Sequence, residues 1–190
     1  AESTGWPDGT TAEPLTVLAI ECVPGPDADR LSTVPGLPDD AYENDGQLTK
    51  RHVRAITLSS LAPSAGELLW DVGGGAGSIG IEWLRQHPAN RAVSVERDPE
   101  RVERIRRNAE ALGVPRLELV IGSASSALVR PTHPNAIFVG DNANNPHMLE
   151  TCWQTLRPGD RLITNVTTLN SEQTMYADHA AHGNDLTRIE

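Results

Sequence analysis

The chain has 190 residues, enough for one domain with a sizeable core, and its formal net charge is -10. It has no apolar run of the ~18 residues that cross a membrane, and it lacks the basic excess with which nucleic-acid binders neutralise phosphates. Its two cysteines, Cys22 and Cys152, match no metal or redox spacing, so we expect a reducing, cytoplasmic compartment and no disulfide framework.

The first part of the chain is an acidic leader. Residues 1–49 hold ten acidic residues and one basic residue, whereas residues 50–190 are nearly neutral. Prolines and glycines interrupt the leader, so it cannot supply much buried apolar surface. One β-rich run, Leu15–Ile20, looks like the last strand of a preceding domain. We therefore expect residues 1–35 to be a dispensable linker with the remnant of another domain, and residues 36–190 to be the main domain.

From residue 49 the pattern changes to strands alternating with helices. The predicted helices span residues 49–61, 78–85, 99–112, 146–156 and 171–182. The predicted strands span residues 68–72, 92–95, 117–121, 136–139, 161–166 and, cut off by the chain end, 186–189. Such alternation is typical of a mostly parallel, doubly wound α/β sheet, which binds ligands beyond the carboxyl ends of its strands. The turns that follow the strands are therefore the candidate functional sites.

Caps and apolar positions define two of these helices. Thr49 is placed to cap the first helix, with Val53, Ile56 and Leu61 towards one face, which we expect to be the buried one. Asp98 is placed to cap the third, and Pro99 suits its first position because a residue there needs no N–H.

The first turn after a strand is rich in glycine and runs Asp71-Val72-Gly73-Gly74-Gly75-Ala76-Gly77. Glycines let the backbone approach a ligand closely and adopt positive φ, and the following helix presents free N–H groups and its positive dipole end. A glycine cluster can also form an ordinary tight turn, but its place between a buried strand and a helix favours a ligand site.

Two cofactors compete for this turn. Gly75–Gly80 fits G-x-G-x-x-G, the dinucleotide fingerprint, with Glu96 as the acid for the ribose. In dinucleotide folds the pyrophosphate lies at the helix N-terminus, where the carboxylate of Asp71 would repel it. The same carboxylate suits the ammonium and sulfonium groups of S-adenosylmethionine. We therefore favour S-adenosylmethionine over NAD, with Glu96 accepting both ribose hydroxyls.

The later turns fit the same cofactor. Gly122-Ser123-Ala124 follows the third strand and can contact the adenine edge through its backbone. Asp141-Asn142 follows the fourth, where methyltransferases meet the methyl group and the substrate. The alternative for each is an ordinary loop. His179 and His182 lie three residues apart without a third ligand, so we expect surface histidines and no metal.

Several segments resemble the decarboxylating precorrin methyltransferases of cobalamin biosynthesis, from about residue 36 to the end. The most diagnostic is Gly46-Gln47-Leu48-Thr49-Lys50, whereas the glycine turn is shared by most class I methyltransferases. The others are Pro38–Asp40, Leu69–Gly75, Val95–Arg97, Ile137–Gly140, Leu156–Gly159 and Asn165–Leu169. The stretch at 18–22 resembles the end of the tetrapyrrole-methylase domain that precedes this one in bifunctional members.

The resemblance implies a class I S-adenosylmethionine-dependent methyltransferase with a Rossmann-like doubly wound sheet, whose C-terminal strand pair is cut off. It implies methylation of carbon 15 of a precorrin-6 intermediate, with decarboxylation of the acetate chain on ring C. It also implies a homotetramer and a fused N-terminal tetrapyrrole-methylase domain. Because the substrate is a polycarboxylate, we expect local cations to bind it, namely Lys50, Arg51 and Arg54 on the first helix; the alternative is a solvated helix face.

The candidate site therefore has a cofactor part and a catalytic part. The cofactor-binding candidates are Thr49, Asp71, Gly73, Gly75, Gly77, Ser78, Glu96, Arg97, Ser123, Ala124 and Gly140. The catalytic candidates are Asp141, Asn165 and Thr167. Two other functions stay open. One is a class I methyltransferase that acts on RNA or protein, which the lack of a basic excess disfavours, and the other is a cofactor-binding domain without activity.

Overall fold

The computed structural model describes residues 31–123, 132–140 and 146–189, together with five residues between 21 and 28. The chain divides into two compact units, Ala1–Leu31 and Ser32–Glu190. The helices and strands of the described residues all belong to the second unit, and none of these helices is long and apolar enough to cross a membrane. The strand predicted at 15–20 lies outside the described residues.

A five-stranded sheet forms the centre of the second unit. Its strands are β1 (Leu68–Val72), β2 (Arg91–Glu96), β3 (Glu118–Ile121), β4 (Ala136–Val139) and β5 (Arg161–Thr164). All pairs are parallel and the order is β3-β2-β1-β4-β5, so the direction of winding changes between β1 and β4. In doubly wound sheets this switch point is where ligands bind. The predicted doubly wound α/β sheet is confirmed.

Five α-helices accompany the strands in the described part of the chain. They are α1 (Arg51–Leu61), α2 (Ser78–Gln86), α3 (Pro99–Ala111), α4 (Pro146–Thr155) and α5 (Leu169–His182). The predicted start of α3 is confirmed, because the side chain of Asp98 accepts a hydrogen bond from the N–H of Glu100 and Pro99 is the first helical residue. A short 3-10 helix, Asp39–Ala41, precedes α1.

One face of the sheet packs against α4 and α5. The apolar strand residues on this face are Leu68, Trp70, Val72, Val93, Val95, Ile137 and Val139. They form a core with Met148, Leu149 and Cys152 of α4 and with Met175 of α5. Since side chains alternate along a strand, Asp71 points to the opposite face, where α2 and α3 contact the strands. The alternation therefore directs an acidic side chain into the interior beneath α2.

The first helix differs from the prediction at its start and on its buried face. The N-cap of α1 is Lys50 and no side chain caps the helix, so the predicted cap at Thr49 is wrong. The buried residues of α1 are Arg54, Thr57, Leu58 and Leu61. Ile56, which we expected on the buried face, is 41% exposed. The pattern of apolar residues did not predict this face, because the face includes a buried arginine, Arg54, whose charge is paired with Glu82.

The strand predicted at 186–189 is also wrong. Residues 183–189 have no regular structure, and Leu186 and Ile189 are 44% and 49% exposed. Helix α5 ends at Gly183, whose φ of 68° is left-handed. Within the described ranges, no strand pairs with the segment that follows. A strand without a hydrogen-bonding partner is not stable in water, whatever its β propensity.

Candidate functional site

The glycine turn links β1 to α2 at the carboxyl edge of the sheet. The N–H groups of Gly73 and Gly74 both donate to the carbonyl of Val95, at 2.9 and 3.2 Å. A Cβ on Gly74 would lie 2.2 Å from the Oγ of Ser94, and one on Gly77 would lie 2.6 Å from a methyl carbon of Ile105. The turn is therefore pressed against β2 and α3, and this is why glycine is required at positions 74 and 77.

Glu96, the last residue of β2, contacts this turn directly. Its Oε2 accepts the N–H of Gly75 at 3.0 Å, and its Oε1 accepts the N–H groups of Arg97 and Asp98 at 2.9 and 3.1 Å. The residue is only 5% exposed. A carboxylate offers about four acceptor positions, so these three bonds fix its orientation and leave capacity for a ligand hydroxyl. The structure thus brings the predicted ribose acid and the glycine turn together.

Asp71 lies beneath the turn and not on its surface. Its Oδ2 accepts the N–H of Gly80, in the first turn of α2, at 3.2 Å and the hydroxyl of Ser94 at 3.3 Å. Burial is the main cause that raises the pKa of this carboxyl to about 6, with a smaller contribution from the charge of Glu96. Asp71 therefore holds the start of α2 against β2, and its carboxyl does not reach the surface of the glycine turn.

The segment Gly46–Lys50 lies against the same turn. The carbonyl oxygen of Gln47 is 2.9 Å from the position that a Cβ on Gly75 would occupy. The amide of Asn108, on α3, donates to the carbonyls of Glu43 and Ala76, both at 2.9 Å, and so ties the chain ahead of this segment to the turn. Our sequence reasoning missed Asn108, and the one available signal was a polar residue within the apolar stripe of α3.

Ion pairs with α3 hold the outer part of this segment. Asp45 lies 2.9 Å from a guanidinium nitrogen of Arg104 and 3.0 Å from one of Arg101. The hydrogen bond from Arg104 is the largest of the causes that hold the pKa of Asp45 below its usual range. Glu43 pairs with Arg107 in the same way, at 2.6 Å. Part of the leader's acidity is therefore used in bonds to the basic residues of α3.

Arg54 is buried, which contradicts both its predicted role as a cation that binds the substrate and the alternative of a solvated helix face. Its side chain is 0% exposed, and its Nε donates to the Oε1 of Glu82 on α2 at 2.5 Å. The guanidinium also pairs with Asp39 at 3.1 Å and donates to the carbonyls of Leu37 and Thr49. All these acceptors belong to the domain itself, so Arg54 organises the chain ahead of α1.

Glu82 is the centre of this buried network. Besides Arg54, it accepts the N–H groups of Gly36 and Leu37, at 2.6 and 3.1 Å, and the hydroxyl of Tyr42 at 2.9 Å. Burial, and then the charge of Glu82, raise the pKa of Tyr42 well above its usual range. Residues 36–42 are therefore bonded into the domain through α2.

The other two cationic candidates differ from Arg54. Lys50 and Arg51 are exposed at the start of α1, although the Nε of Arg51 donates to the carbonyl of Gly36 at 2.9 Å. They adjoin the Gly46–Thr49 stretch at the glycine turn. Their charges are thus available to a ligand that lies over the turn.

The ends of β4 and β5 complete the carboxyl edge. The N–H of Gly140, after β4, donates to the carbonyl of Val72 at 3.0 Å, and a Cβ on Gly140 would lie 3.2 Å from the carbonyl oxygen of Gly73. Asn165, after β5, bonds to the hydroxyl of Thr57 at 2.9 Å. Our sequence reasoning missed Thr57, because a threonine in a helix three positions after Arg54 does not by itself indicate a bond to a distant residue.

The remaining candidates take up different positions. Ser78 is buried at the start of α2, Thr49 is half-buried, and Arg97 and Thr167 are exposed. Ser123 is exposed just after β3, where the N–H of Gly122 donates to the carbonyl of Glu96 at 2.9 Å. Ala124 and Asp141 lie outside the described residues.

The two histidines of α5 are exposed, as predicted. His182 lies 3.1 Å from Asp178, and His179 bonds to Asn184. Among the residues that the structure describes, no group of three or more His, Cys, Asp or Glu side chains is arranged to hold a metal ion.

Comparisons with known proteins point to one family. A family model described as a precorrin methyltransferase domain matches residues 40–190. The chain is 46% identical to a precorrin-6Y C(5,15)-methyltransferase [decarboxylating] of Sinorhizobium sp, over 93% of this chain and 43% of that relative. It therefore spans less than half the length of this curated relative.

Solved structures agree with this result. The chain is similar to the C-terminal domain of precorrin-6Y C5,15-methyltransferase from Rhodobacter capsulatus, with 41% identity, a TM-score of 0.78 and coverage of 84% of this chain and 86% of that one. It is also similar to an RNA methyltransferase from Salinibacter ruber in complex with S-adenosyl-L-homocysteine, with 26% identity, a TM-score of 0.55 and coverage of 62% and 76%.

Proposed function

The chain belongs to the precorrin methyltransferase domain family, and on this premise we propose that it transfers a methyl group from S-adenosylmethionine to carbon 15 of a precorrin-6 intermediate. The same reaction releases the carboxyl group of the acetate chain on ring C as carbon dioxide. The names of the matched relatives, which are decarboxylating methyltransferases that act on precorrin-6Y, support this assignment. The pathway is cobalamin biosynthesis.

The observation that carries the proposal is the position of Glu96 against the glycine turn. Its carboxylate is held by the N–H groups of Gly75, Arg97 and Asp98, with acceptor capacity left for ribose hydroxyls. At Gly75, whose φ is +58°, a side chain would strike the carbonyl of Gln47. A glycine cradle beside an oriented carboxylate fits the nucleoside and amino-acid parts of S-adenosylmethionine.

The geometry supports a mechanism based on alignment. When bound, S-adenosylmethionine supplies an electrophilic methyl group on a positively charged sulfur. The nucleophile is an electron-rich carbon of a conjugated macrocycle, so holding that carbon in line with the methyl group contributes more than a strong base does. Glu96 and the glycine turn hold the donor side, and Asn165 lies on the substrate side. The protonated ring system takes up the electron pair that remains when carbon dioxide leaves.

The exposed cations at the start of α1 suit the substrate's carboxylates. Lys50 and Arg51 follow the segment that lies on the glycine turn, and charge-assisted hydrogen bonds to carboxylates are among the stronger ones. We propose that these two residues bind acidic side chains of the macrocycle. Arg54 is excluded from this role by its burial.

We propose that the whole protein is longer than this chain and that it is oligomeric. The matched relative is more than twice as long as the segment it shares with this chain, which supports a fused tetrapyrrole-methylase domain, with residues 1–35 as the linker. We propose a cytoplasmic homotetramer built from the methyltransferase domain. Light scattering at micromolar concentration tests the assembly, and a monomer would contradict it.

Two measurements test the function. Calorimetry should detect binding of S-adenosylhomocysteine and no binding of NAD, and the reverse pattern would overturn the cofactor assignment. Incubation with methyl-labelled S-adenosylmethionine and precorrin-6 should then transfer the label to the tetrapyrrole. A protein that binds the cofactor but labels no tetrapyrrole would contradict the proposed substrate.

A further inference from the structure

The side chains of Thr57, on α1, and Asn165, just after β5, form a hydrogen-bonded pair. The Nδ2 of Asn165 lies 2.9 Å from the Oγ1 of Thr57, and its Oδ1 lies 3.3 Å away. Thr57 is 3% exposed and Asn165 is half-buried. Within the described part of the chain, the amide of Asn165 makes side-chain hydrogen bonds with Thr57 alone.

The hydroxyl proton of Thr57 decides how this amide is oriented. The Oγ1 of Thr57 is 2.8 Å from the carbonyl oxygen of Val53, which has no proton to offer. Since a hydroxyl has a single proton, that proton lies between Thr57 and Val53, and the Oγ1 is left as an acceptor for Asn165. The Nδ2 is both the donor and the closer atom. Among the described residues, the Oδ1 of Asn165 consequently stays an acceptor without a donor of its own.

Asn165 lies at the carboxyl edge of the sheet, where its acceptor oxygen can contact a substrate. The hydroxyl of Thr164 donates to the carbonyl of Val139 at 2.8 Å and so ties the end of β5 to the end of β4. Gly140, which follows β4, lies against Gly73 of the glycine turn. Neighbouring strands are about 4.8 Å apart, so Asn165 is roughly 10 Å from the end of β1. That distance is within the reach of a tetrapyrrole ring placed over the carboxyl edge.

We propose that Thr57 is a positioning residue for the methyl transfer, an inference that rests on the proposed function. By holding the Nδ2, Thr57 presents the Oδ1 of Asn165 to an N–H group of the macrocycle. The ring N–H groups of a tetrapyrrole point towards the centre of the macrocycle, so the Oδ1 accepts them from one face of the ring. This contact fixes where the ring lies over the carboxyl edge, and with it the distance between the reacting carbon and the methyl group.

The test compares two substitutions of Thr57 with a matched control. Thr57→Val keeps the β-branched shape and removes the hydroxyl, whereas Thr57→Ser keeps the hydroxyl. The control is Thr155→Val on α4, which removes a similar helical hydrogen bond, at 2.8 Å to the carbonyl of Thr151. Melting temperatures confirm that each variant folds.

We expect Thr57→Val to lower kcat by about tenfold to a hundredfold, as small misplacements of a reacting group do, with KM for S-adenosylmethionine unchanged. Thr57→Ser should restore turnover to near the wild-type value, and Thr155→Val should leave it unchanged. In an Asn165→Ala background, Thr57→Val should have little further effect. Wild-type turnover by Thr57→Val, or an equal loss in the Asn165→Ala background, would overturn the inference.

A second readout separates this inference from the proposed function. If the wild-type protein transfers no methyl group to any precorrin, the proposed function fails. The side-chain amide signals of Asn165, identified by NMR from their loss in Asn165→Ala, then decide the role of Thr57. They should shift in Thr57→Val and stay in place in Thr57→Ser. Signals that do not move in Thr57→Val would show that Thr57 does not hold the amide.

Discussion

The Nε of Arg54 on α1 lies 2.5 Å from the Oε1 of Glu82 on α2, and the side chains are 0% and 2% exposed. This buried ion pair joins the two helices and also binds the chain that leads into α1, because Glu82 accepts the N–H groups of Gly36 and Leu37. The segment that follows lies on the glycine turn. The pair therefore supports the glycine turn from the interior of the domain.

Removing the charge of Glu82 should destabilise the domain strongly. Glu82→Gln leaves the guanidinium of Arg54 buried without its nearest countercharge, and breaking such a pair typically costs about 3–5 kcal/mol. Urea denaturation measures the change, with Glu103→Gln on the exposed face of α3 as the control. A loss below about 1 kcal/mol would show that the pair behaves as a surface contact.

Glu96→Ala should weaken cofactor binding by about 1–3 kcal/mol, because hydrogen bonds to a buried charged group are the stronger ones. Calorimetry with S-adenosylhomocysteine measures the loss, and Glu100→Ala, an exposed acid two residues into α3, is the control. An unchanged affinity in a Glu96→Ala protein that is still folded would remove Glu96 from the ribose site.

Asp71 should make stability depend on pH. Its pKa is raised from 3.8 to about 6 by burial, so the folded state favours the protonated carboxyl. The stabilisation from this group is complete below pH ~3.8 and is lost as the pH rises through ~6, an effect of about 3 kcal/mol.

Asp71→Asn removes this titration but keeps an acceptor for the N–H of Gly80. The free energy of unfolding of Asp71→Asn relative to wild type should therefore rise by about 2 kcal/mol between pH ~4 and pH ~7.5. Denaturant curves across this range measure it, and effects shared with other groups cancel in the difference. A flat difference would mean that the carboxyl titrates normally.

Gly74→Ala should destabilise the turn, and a second substitution should restore part of the loss. The new Cβ would lie 2.2 Å from the Oγ of Ser94, and overpacking of this kind costs about 1–3 kcal/mol. In Gly74→Ala/Ser94→Ala the clashing oxygen is gone, so the double variant should be more stable than the sum of the single changes predicts. Additive melting temperatures would show that the steric contact is not the cause.

Sequence patterns predicted the sheet well because its determinants are local. The strand residues of β1 and β4 are all buried and, apart from Asp71, apolar, and such runs between turn residues indicate central parallel strands. Asp98-Pro99 marked the start of α3 for a similar reason, since capping involves neighbouring residues. The prediction of a strand at 186–189 was wrong because a strand forms only where a neighbouring strand is available to pair with it.

The geometry of the candidate site could be predicted from the sequence only where the residues belong to a local motif. The glycine turn follows β1 and Glu96 ends β2, so the sheet itself brings them together. The burial of Arg54 and the bond between Thr57 and Asn165 depend on contacts with distant parts of the chain, 28 and 108 residues away. Propensity and periodicity do not contain such pairings, and a basic residue on a helix is usually solvated.

The most direct test of the proposed function follows methyl transfer and loss of carbon dioxide in one sample. The protein is incubated with S-adenosylmethionine and a precorrin-6 intermediate that carries carbon-13 in the carboxyl group of the ring C acetate. Mass spectrometry should show a tetrapyrrole that has gained one methyl group and lost the labelled carbon, which appears as carbon dioxide, and Glu96→Ala should slow both changes. A protein that binds S-adenosylhomocysteine yet leaves the mass of the tetrapyrrole unchanged would contradict the account.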